Sequence, residues 1–375
     1  MFYFDYAANT PVDPAVIECF SEECTRHIAN PNSSHFLGRE AKGRMEQITK
    51  QIAGMLEVNM NEIIYTSGAS EANNLAIKGL AHAQRQLGKH IISTSLEHSS
   101  VSGALTFLQS QGYEIDLLDV TSEGIIDIQH LQELLRKDTI LVSICYVDSE
   151  LGVQQPIEEI GKLLKEYPNC YFHTDATQAM GKIPVHFDTV DMMTFAPHKF
   201  YGLNSCGVLV KREHVILEPL IHGGASTTMY RSGTPDIAHA ASIEKALEIA
   251  LREMESRYAY VDRLKGDVIK TLSTYSKVRI NSTKKSIPHI INLSVQGVKA
   301  PIFVKALEEE GICVSIKSAC SVANTPSRPV YAVTRDRKNA MSSWRISLSH
   351  LTRQEELEHF KEAFDKCYNK LTFGP

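Results

Sequence analysis

The sequence predicts an α/β protein: a mostly parallel sheet covered by helices on both faces, followed by a smaller α+β domain. Three observations carry this. Between Glu62 and Val210, strand-like runs alternate with helix-length runs, the rhythm of parallel strands joined by crossover helices. A long helical stretch, Ala238 to Arg257, then breaks that rhythm. Beyond it, Ile290 to Val295 and Trp344 to Leu348 alternate with period 2, as half-buried strands do.

The elements follow in order. Met1 to Tyr6 is apolar but meets Asp5 at once and has no preceding basic run, so it reads as a strand and not as a signal peptide. Glu62 to Thr66 is a strand and Glu71 to Ala83 a helix; His90 to Thr94 and His98 to Gln109 repeat the pair. Tyr113 to Leu118 precedes the helix Ile128 to Leu135, and Thr139 to Tyr146 precedes the helix Ile157 to Glu166. Cys170 to His173, Asp191 to Phe195 and Gly207 to Val210 complete the first sheet. Glu355 to Lys370 is a closing helix. Breaker-rich stretches at His222 to Pro235 and Ser318 to Pro329 are loops. The second domain begins near Ser256.

Composition narrows the function. The 375 residues carry a formal net charge of −5, so the basic footprint of a nucleic-acid binder is missing. No run of 18 apolar residues exists, and no membrane span is expected. Eight cysteines are scattered through the chain, which favours reduced thiols in the cytoplasm over a disulfide framework. Walker, dinucleotide-binding and zinc-ligand spacings are all missing, so no metal site is expected.

Four segments carry chemistry, each with an ordinary alternative. In Thr66 to Asn74 a strand ends, small residues turn, and a helix starts; its first amides suit a phosphate, or Ser67 or Ser70 simply caps the helix. Asp175 closes a buried strand, where an acid needs a partner: a pyridinium nitrogen is one, the amides of the next turn another. Lys199, in Ala196-Pro197-His198-Lys199-Phe200-Tyr201, is either a desolvated amine nucleophile or a surface lysine. Cys320, in Ser318-Ala319-Cys320-Ser321, is a reactive thiol near Lys317 or a small buried hydrophobe.

The order of these segments, with Phe4 to Pro11, Asn30 to His35, Glu97-His98 and Arg231 to Thr234, resembles the cysteine desulfurases, enzymes that supply sulfur for iron–sulfur clusters and tRNA thiolation. The resemblance spans nearly the whole chain. It implies the aspartate-aminotransferase-like fold type I of class V aminotransferases. A large domain, 14–255, would hold a seven-stranded, mostly parallel sheet; residues 1–13 and 256–375 would form the small domain that carries the cysteine loop.

The resemblance also implies pyridoxal 5′-phosphate as cofactor, bound covalently to Lys199. Asp175 would keep the pyridine nitrogen protonated. His98 would stack on the ring and move protons, while Gln178 and the residue at Ser149 would approach its phenolic oxygen. Ala69, Ser70 and His198 would hold the phosphate, joined by Thr234 from a second subunit of a homodimer. Arg345 would clamp the carboxylate of L-cysteine, as a planar guanidinium suits, with Asn32 also on the substrate. Cys320 would take the sulfur as a persulfide and pass it to an acceptor protein.

Several segments depart from the family pattern and imply a divergent member. Asp148-Ser149-Glu150-Leu151-Gly152 stands for Asn-Asn-Glu-Ile-Gly, and Ala196-Pro197-His198-Lys199 for Ser-Gly-His-Lys. Tyr201 to Ser205 and His222 to Thr227 also differ, and Ile316-Lys317 precedes Ser318-Ala319-Cys320 where the family has Ser-Gly. Two other readings follow from these changes: a lyase for selenocysteine or a cysteine conjugate, and a non-catalytic assembly subunit.

Overall fold

The structure, a computed structural model, describes residues 1–317 and 325–374. Cys320 and most of the predicted 318–329 loop therefore lie outside the described residues. The chain opens with β1 (Phe2–Tyr3), α1 (Pro14–Arg26) and α2 (Phe36–Leu56). β2 (Ile63–Thr66) turns into α3 (Ala69–Asn74), a π-helical segment (Leu75–Gly79) and α4 (Leu80–Ala83). There follow β3 (His90–Thr94), α5 (Ser99–Ser110), β4 (Glu114–Leu118), α6 (Ile128–Leu134), β5 (Thr139–Ser143), α7 (Ile157–Leu164), β6 (Tyr171–Asp175), β7 (Met192–Phe195) and β8 (Gly207–Lys211). α8 (Ile237–Leu272), β9 (Val278–Ile280), β10 (Ile290–Val295), α9 (Ala300–Glu309), β11 (Ile312–Cys313), α10 (Arg328–Thr334), α11 (Arg337–Ser342), β12 (Ser343–Ser347) and α12 (Gln354–Phe373) end the chain.

Seven strands form one sheet in the order β2-β8-β7-β6-β5-β3-β4. Only β8 runs against its neighbours. Strands covered on both faces need near-continuous apolar runs, and β3, β5 and β7 are buried along their whole lengths. One face packs on α1, α2 and the start of α8 through Ile48, Phe172, Phe195 and Leu247. The other packs on α3 to α5 through Leu75, Leu80 and Leu105. β4 and β5 leave β3 on opposite sides, so the strand order reverses at β3 and β5. A crevice outside the carboxyl ends of the strands is expected there.

A three-stranded antiparallel sheet, β12-β10-β9, and a parallel pair, β1-β11, make up the rest. Trp344, Phe303, Phe360 and Phe364 centre a separate core there.

α8 runs on to Leu272, well past the expected end at Arg257. The reason is a second apolar stripe. Val261, Leu264, Val268 and Leu272 recur at helical spacing and fill the second core, while Ile243, Leu247 and Ala250 fill the first. The sequence reading also passed over α1 and α2. α1 starts where the Asp13 carboxylate caps Ala15 N and Pro14 takes the first turn.

Candidate active site

Every parallel strand of the large sheet ends on the same side, and residues at or just beyond the ends of β2, β3, β5, β6 and β7 line one cavity of about 430 Å³. His98 follows β3, Cys145 and Ser149 follow β5, Asp175 ends β6, and Lys199 follows β7. Ala69 and Ser70 come from the first turn of α3, whose amides have no acceptor within the helix. Gly68 makes that turn possible. Its φ of 153° is essentially glycine-only. Gly207 at the start of β8 is equally constrained, since a Cβ there would lie 2.6 Å from the Gly68 carbonyl carbon.

Asp175 is buried at 7% exposure. Its Oδ1 accepts from Thr177 N at 2.9 Å and its Oδ2 from Asn73 Nδ2 at 2.7 Å. The adjacent turn is thus a partner, as the ordinary reading of Asp175 required, and cavity exposure leaves room for another. His98 caps α5: its Nδ1 accepts from Ser100 N at 3.2 Å. Burial lowers its pKa, and Lys199 and Arg328 lower it further against the pull of Asp175. Beneath them His173 bonds Ser143 at 2.9 Å and Thr194 at 3.2 Å. Burial pushes His173 down to about 4, so it is a neutral part of the sheet.

Lys199 Nζ donates to Ala7 O at 2.9 Å and Ala8 O at 2.6 Å. The lysine therefore points inward, against the surface-loop alternative. Gln178 Nε2 donates to the same Ala7 carbonyl at 2.9 Å, and its Oε1 accepts from Lys182 Nζ at 2.8 Å. Lys182 is buried, and burial brings it down to about 7, helped by Lys199. His198 also lines the cavity. Burial, then the Lys199 and Lys182 charges, pull it to about 4.

The far wall is Arg345 on β12, a side chain 1% exposed. Its Nη2 pairs with Asp5 Oδ1 at 2.8 Å and its Nη1 donates to the Ser149 carbonyl at 2.5 Å. Asp5 Oδ2 accepts from Ser315 Oγ at 2.6 Å. Behind His98, Glu97 Oε1 accepts from Cys145 N and Thr94 Oγ1 at 2.8 and 2.9 Å. Burial raises that carboxyl to about 8, so it is protonated at neutral pH. Asp148 accepts three backbone amides, from Glu150, Leu151 and Val153, and burial still raises it to about 6.

The structure thus brings together Ala69, Ser70, His98, Ser149, Asp175, Gln178, His198, Lys199 and Arg345 on one cavity. It does not bring Asn32 there. Asn32 sits on an exposed turn, where its N–H donates to Asn30 Oδ1 at 2.9 Å. Thr234 is exposed and lines a neighbouring hollow of about 250 Å³ that shares Ser67 and Ser205 with the cavity. Cys320 lies outside the described residues, but Lys317 Nζ donates to Thr325 O and Oγ1 at 2.8 and 2.9 Å and so ties together the two flanks of 318–324. Asn73, Asp5, Glu97, Asp148 and Lys182 escaped the sequence reading as site residues. No local signal marked Asp5: Phe4 separates it from β1, and its partner Arg345 stands 340 residues away.

The cavity fits pyridoxal 5′-phosphate. It is of ligand size, and it joins an inward-facing lysine, a strand-end carboxylate and a helix start suited to a phosphate. Among the described residues no cluster of His, Cys, Asp or Glu could hold a metal ion, and no helix is long and apolar enough to cross a membrane.

These features define a pyridoxal-dependent enzyme of fold type I. The class-V aminotransferase family matches residues 2–360. A NifS/IcsS protein homolog of Lactobacillus delbrueckii subsp. bulgaricus is 39% identical, covering 99% of this chain and 98% of its own. A cysteine desulfurase IscS of Dictyoglomus turgidum is 38% identical over 100% of this chain and 96% of its own. Among solved structures, a NifS-like protein superposes with a TM-score of 0.92 at 30% identity, with both chains fully covered. SspA in complex with cysteine gives 0.81 at 32% identity, over 93% of this chain and 99% of its own. The chain belongs to the class-V aminotransferase family and, within it, to the cysteine desulfurases. Its cofactor is pyridoxal 5′-phosphate.

Proposed function

We propose that the chain works as a cysteine desulfurase through the residues gathered on this one cavity. The convergence of Lys199, Asp175, His98 and Arg345 there carries the reading. The cofactor, when bound, supplies an aldehyde for amines and a ring that draws electron density from the substrate Cα. Lys199 holds the cofactor and moves the Cα proton of L-cysteine. Asp175 holds a proton on the pyridine nitrogen. Gln178 and Ser149 face the phenolic side, and Ala69, Ser70 and His198 take the phosphate. Arg345 fixes the substrate carboxylate. Asn32 has no part in this single-chain cavity.

Cys320 attacks the substrate sulfur. A sulfur–sulfur bond forms, the carbon–sulfur bond breaks, and its electron pair stays with carbon, which takes up a proton to leave as L-alanine. The persulfide passes to an acceptor protein of iron–sulfur cluster assembly or tRNA thiolation. The enzyme is cytoplasmic and homodimeric, with Thr234 serving the second subunit's site. Residues 14–255 form the large domain; 1–13 and 256–375 form the small one, a division supported by the separate hydrophobic cores.

The test is the absorption spectrum with and without L-cysteine, followed by mass analysis of the peptide that carries Cys320. A cofactor band that shifts on L-cysteine and one extra sulfur on Cys320 are expected. Sulfide release at the parental rate from Cys320→Ala, with no thiol added, overturns the mechanism.

A further inference from the structure

Asn73 has no role in the reading above, yet it is fully buried on α3 among Ala72, Leu75 and Ala76. A carboxamide in such apolar company is costly unless hydrogen-bonded. Its Nδ2 spends both hydrogens, one on Asp175 Oδ2 at 2.7 Å and one on Ser100 Oγ at 2.9 Å. Its Oδ1 has no partner. The orientation is forced, because the reversed amide would set its oxygen against the Asp175 carboxylate.

The consequences run on to His98. Ser100 Oγ accepts from Asn73, so its own hydrogen is directed at His98 Nδ1, 2.9 Å away. The Ser100 backbone N–H reaches the same nitrogen at 3.2 Å. Two donors on Nδ1 leave it without a proton, and the ring proton stands on Nε2. We propose that Asn73 is a positioning residue that clasps Asp175 and the Ser100–His98 pair with one carboxamide, fixing His98 as the Nε2–H tautomer. His98 then serves the reaction as a donor through Nε2, with Nδ1 closed to protons. The charged groups facing the ring are Asp175, which favours a second proton, and Lys199 and Arg328, which oppose it. This inference rests on the proposed reading in which Asp175 and His98 act on the cofactor.

The experiment is 15N NMR of histidine-labelled holoenzyme, with His98 assigned by its loss in His98→Gln. The parent should show an unprotonated Nδ1 and a protonated Nε2 at neutral pH. Ser100→Ala and Asn73→Ala should mix the tautomers, with a protonated Nδ1 appearing beside the Nε2–H form. Turnover of L-cysteine should fall about tenfold with KM within about twofold. Asn73→Asp, nearly the same shape, should be worse than Asn73→Ala, because it sets a second carboxylate against Asp175; a space-filling role predicts the reverse order. Should the Asn73 variants not fold, Ser100→Ala decides alone: it leaves only the longer backbone N–H contact on Nδ1, and an Nε2–H tautomer as fully populated as in the parent overturns the proposal. Loss of the reading itself looks different, since a parent without a cofactor band still yields the His98 tautomer.

Discussion

The two ends of the cavity are built on opposite plans. At the ring end, Asp175 and His98 stand on neighbouring parts of one sheet and are held by neutral donors from Asn73, Ser100 and Thr177. At the carboxylate end, Arg345 of β12 is held by an ion pair to Asp5, 340 residues away in the chain. The first end inherits its geometry from a strand ladder. The second exists only when the N-terminal segment and the small sheet meet. Neutral donors leave no charge behind when their acceptor goes, whereas a broken buried ion pair strands one at high cost.

Perturbation should separate the ends. Lys199→Ala, where the two ends converge, should lose the covalent cofactor band and lower alanine formation by roughly 10³-fold or more. Asp175→Ala should break the ring end chiefly in its chemistry, since a preorganised electrostatic group is worth about 10²–10³ in kcat; the Asn73 and Thr177 donors it leaves unpaired should lower the melting temperature less than the stranded guanidinium of the next variant does. Asp5→Ala should do the converse. It strands a buried guanidinium at a cost of about 3 kcal/mol of stability and raises KM for L-cysteine more than it lowers kcat. An unchanged melting temperature in that variant would erase the contrast.

The smallest effect concerns pH. Glu97 keeps its proton up to about 8 in the folded chain against an ordinary 4.5. Between those values the folded state binds more protons than the unfolded one, so the carboxyl's contribution to stability falls as pH rises through that window. Glu97→Gln has no proton to lose. It should flatten this part of the profile and exceed the parent above about pH 8 by roughly 1–3 kcal/mol, as read from urea unfolding at several pH values.

The ring end was also the legible end. Periodicity placed the strands, and polar residues just beyond their carboxyl ends, Asp175 and Lys199, stood out against apolar surroundings. The other end carried no such local mark. The pairing of Asp5 with Arg345 joins residues at the two extremes of the chain, and nothing near either one announces the other. Asn73 was hidden for a different reason: one polar side chain on the inner face of a helix looks like any surface position until the strand beneath it is known. α8 was cut short because its apolar stripe changes the core it serves, and a reading that looks for one stripe stops where the first runs out.

The first eight residues contribute more than a strand. Phe2 and Tyr3 pair with Ile312 and Cys313, while the carbonyls of Ala7 and Ala8 receive Lys199. On the ribosome, where chains emerge amino end first, that segment is made about 310 residues ahead of Ile312 and Cys313 and must wait for them. The large sheet is free to assemble first, but the docking seat for Phe2 and Tyr3 appears only after residue 313 has emerged. Enzyme competence is thereby deferred until that pair can form.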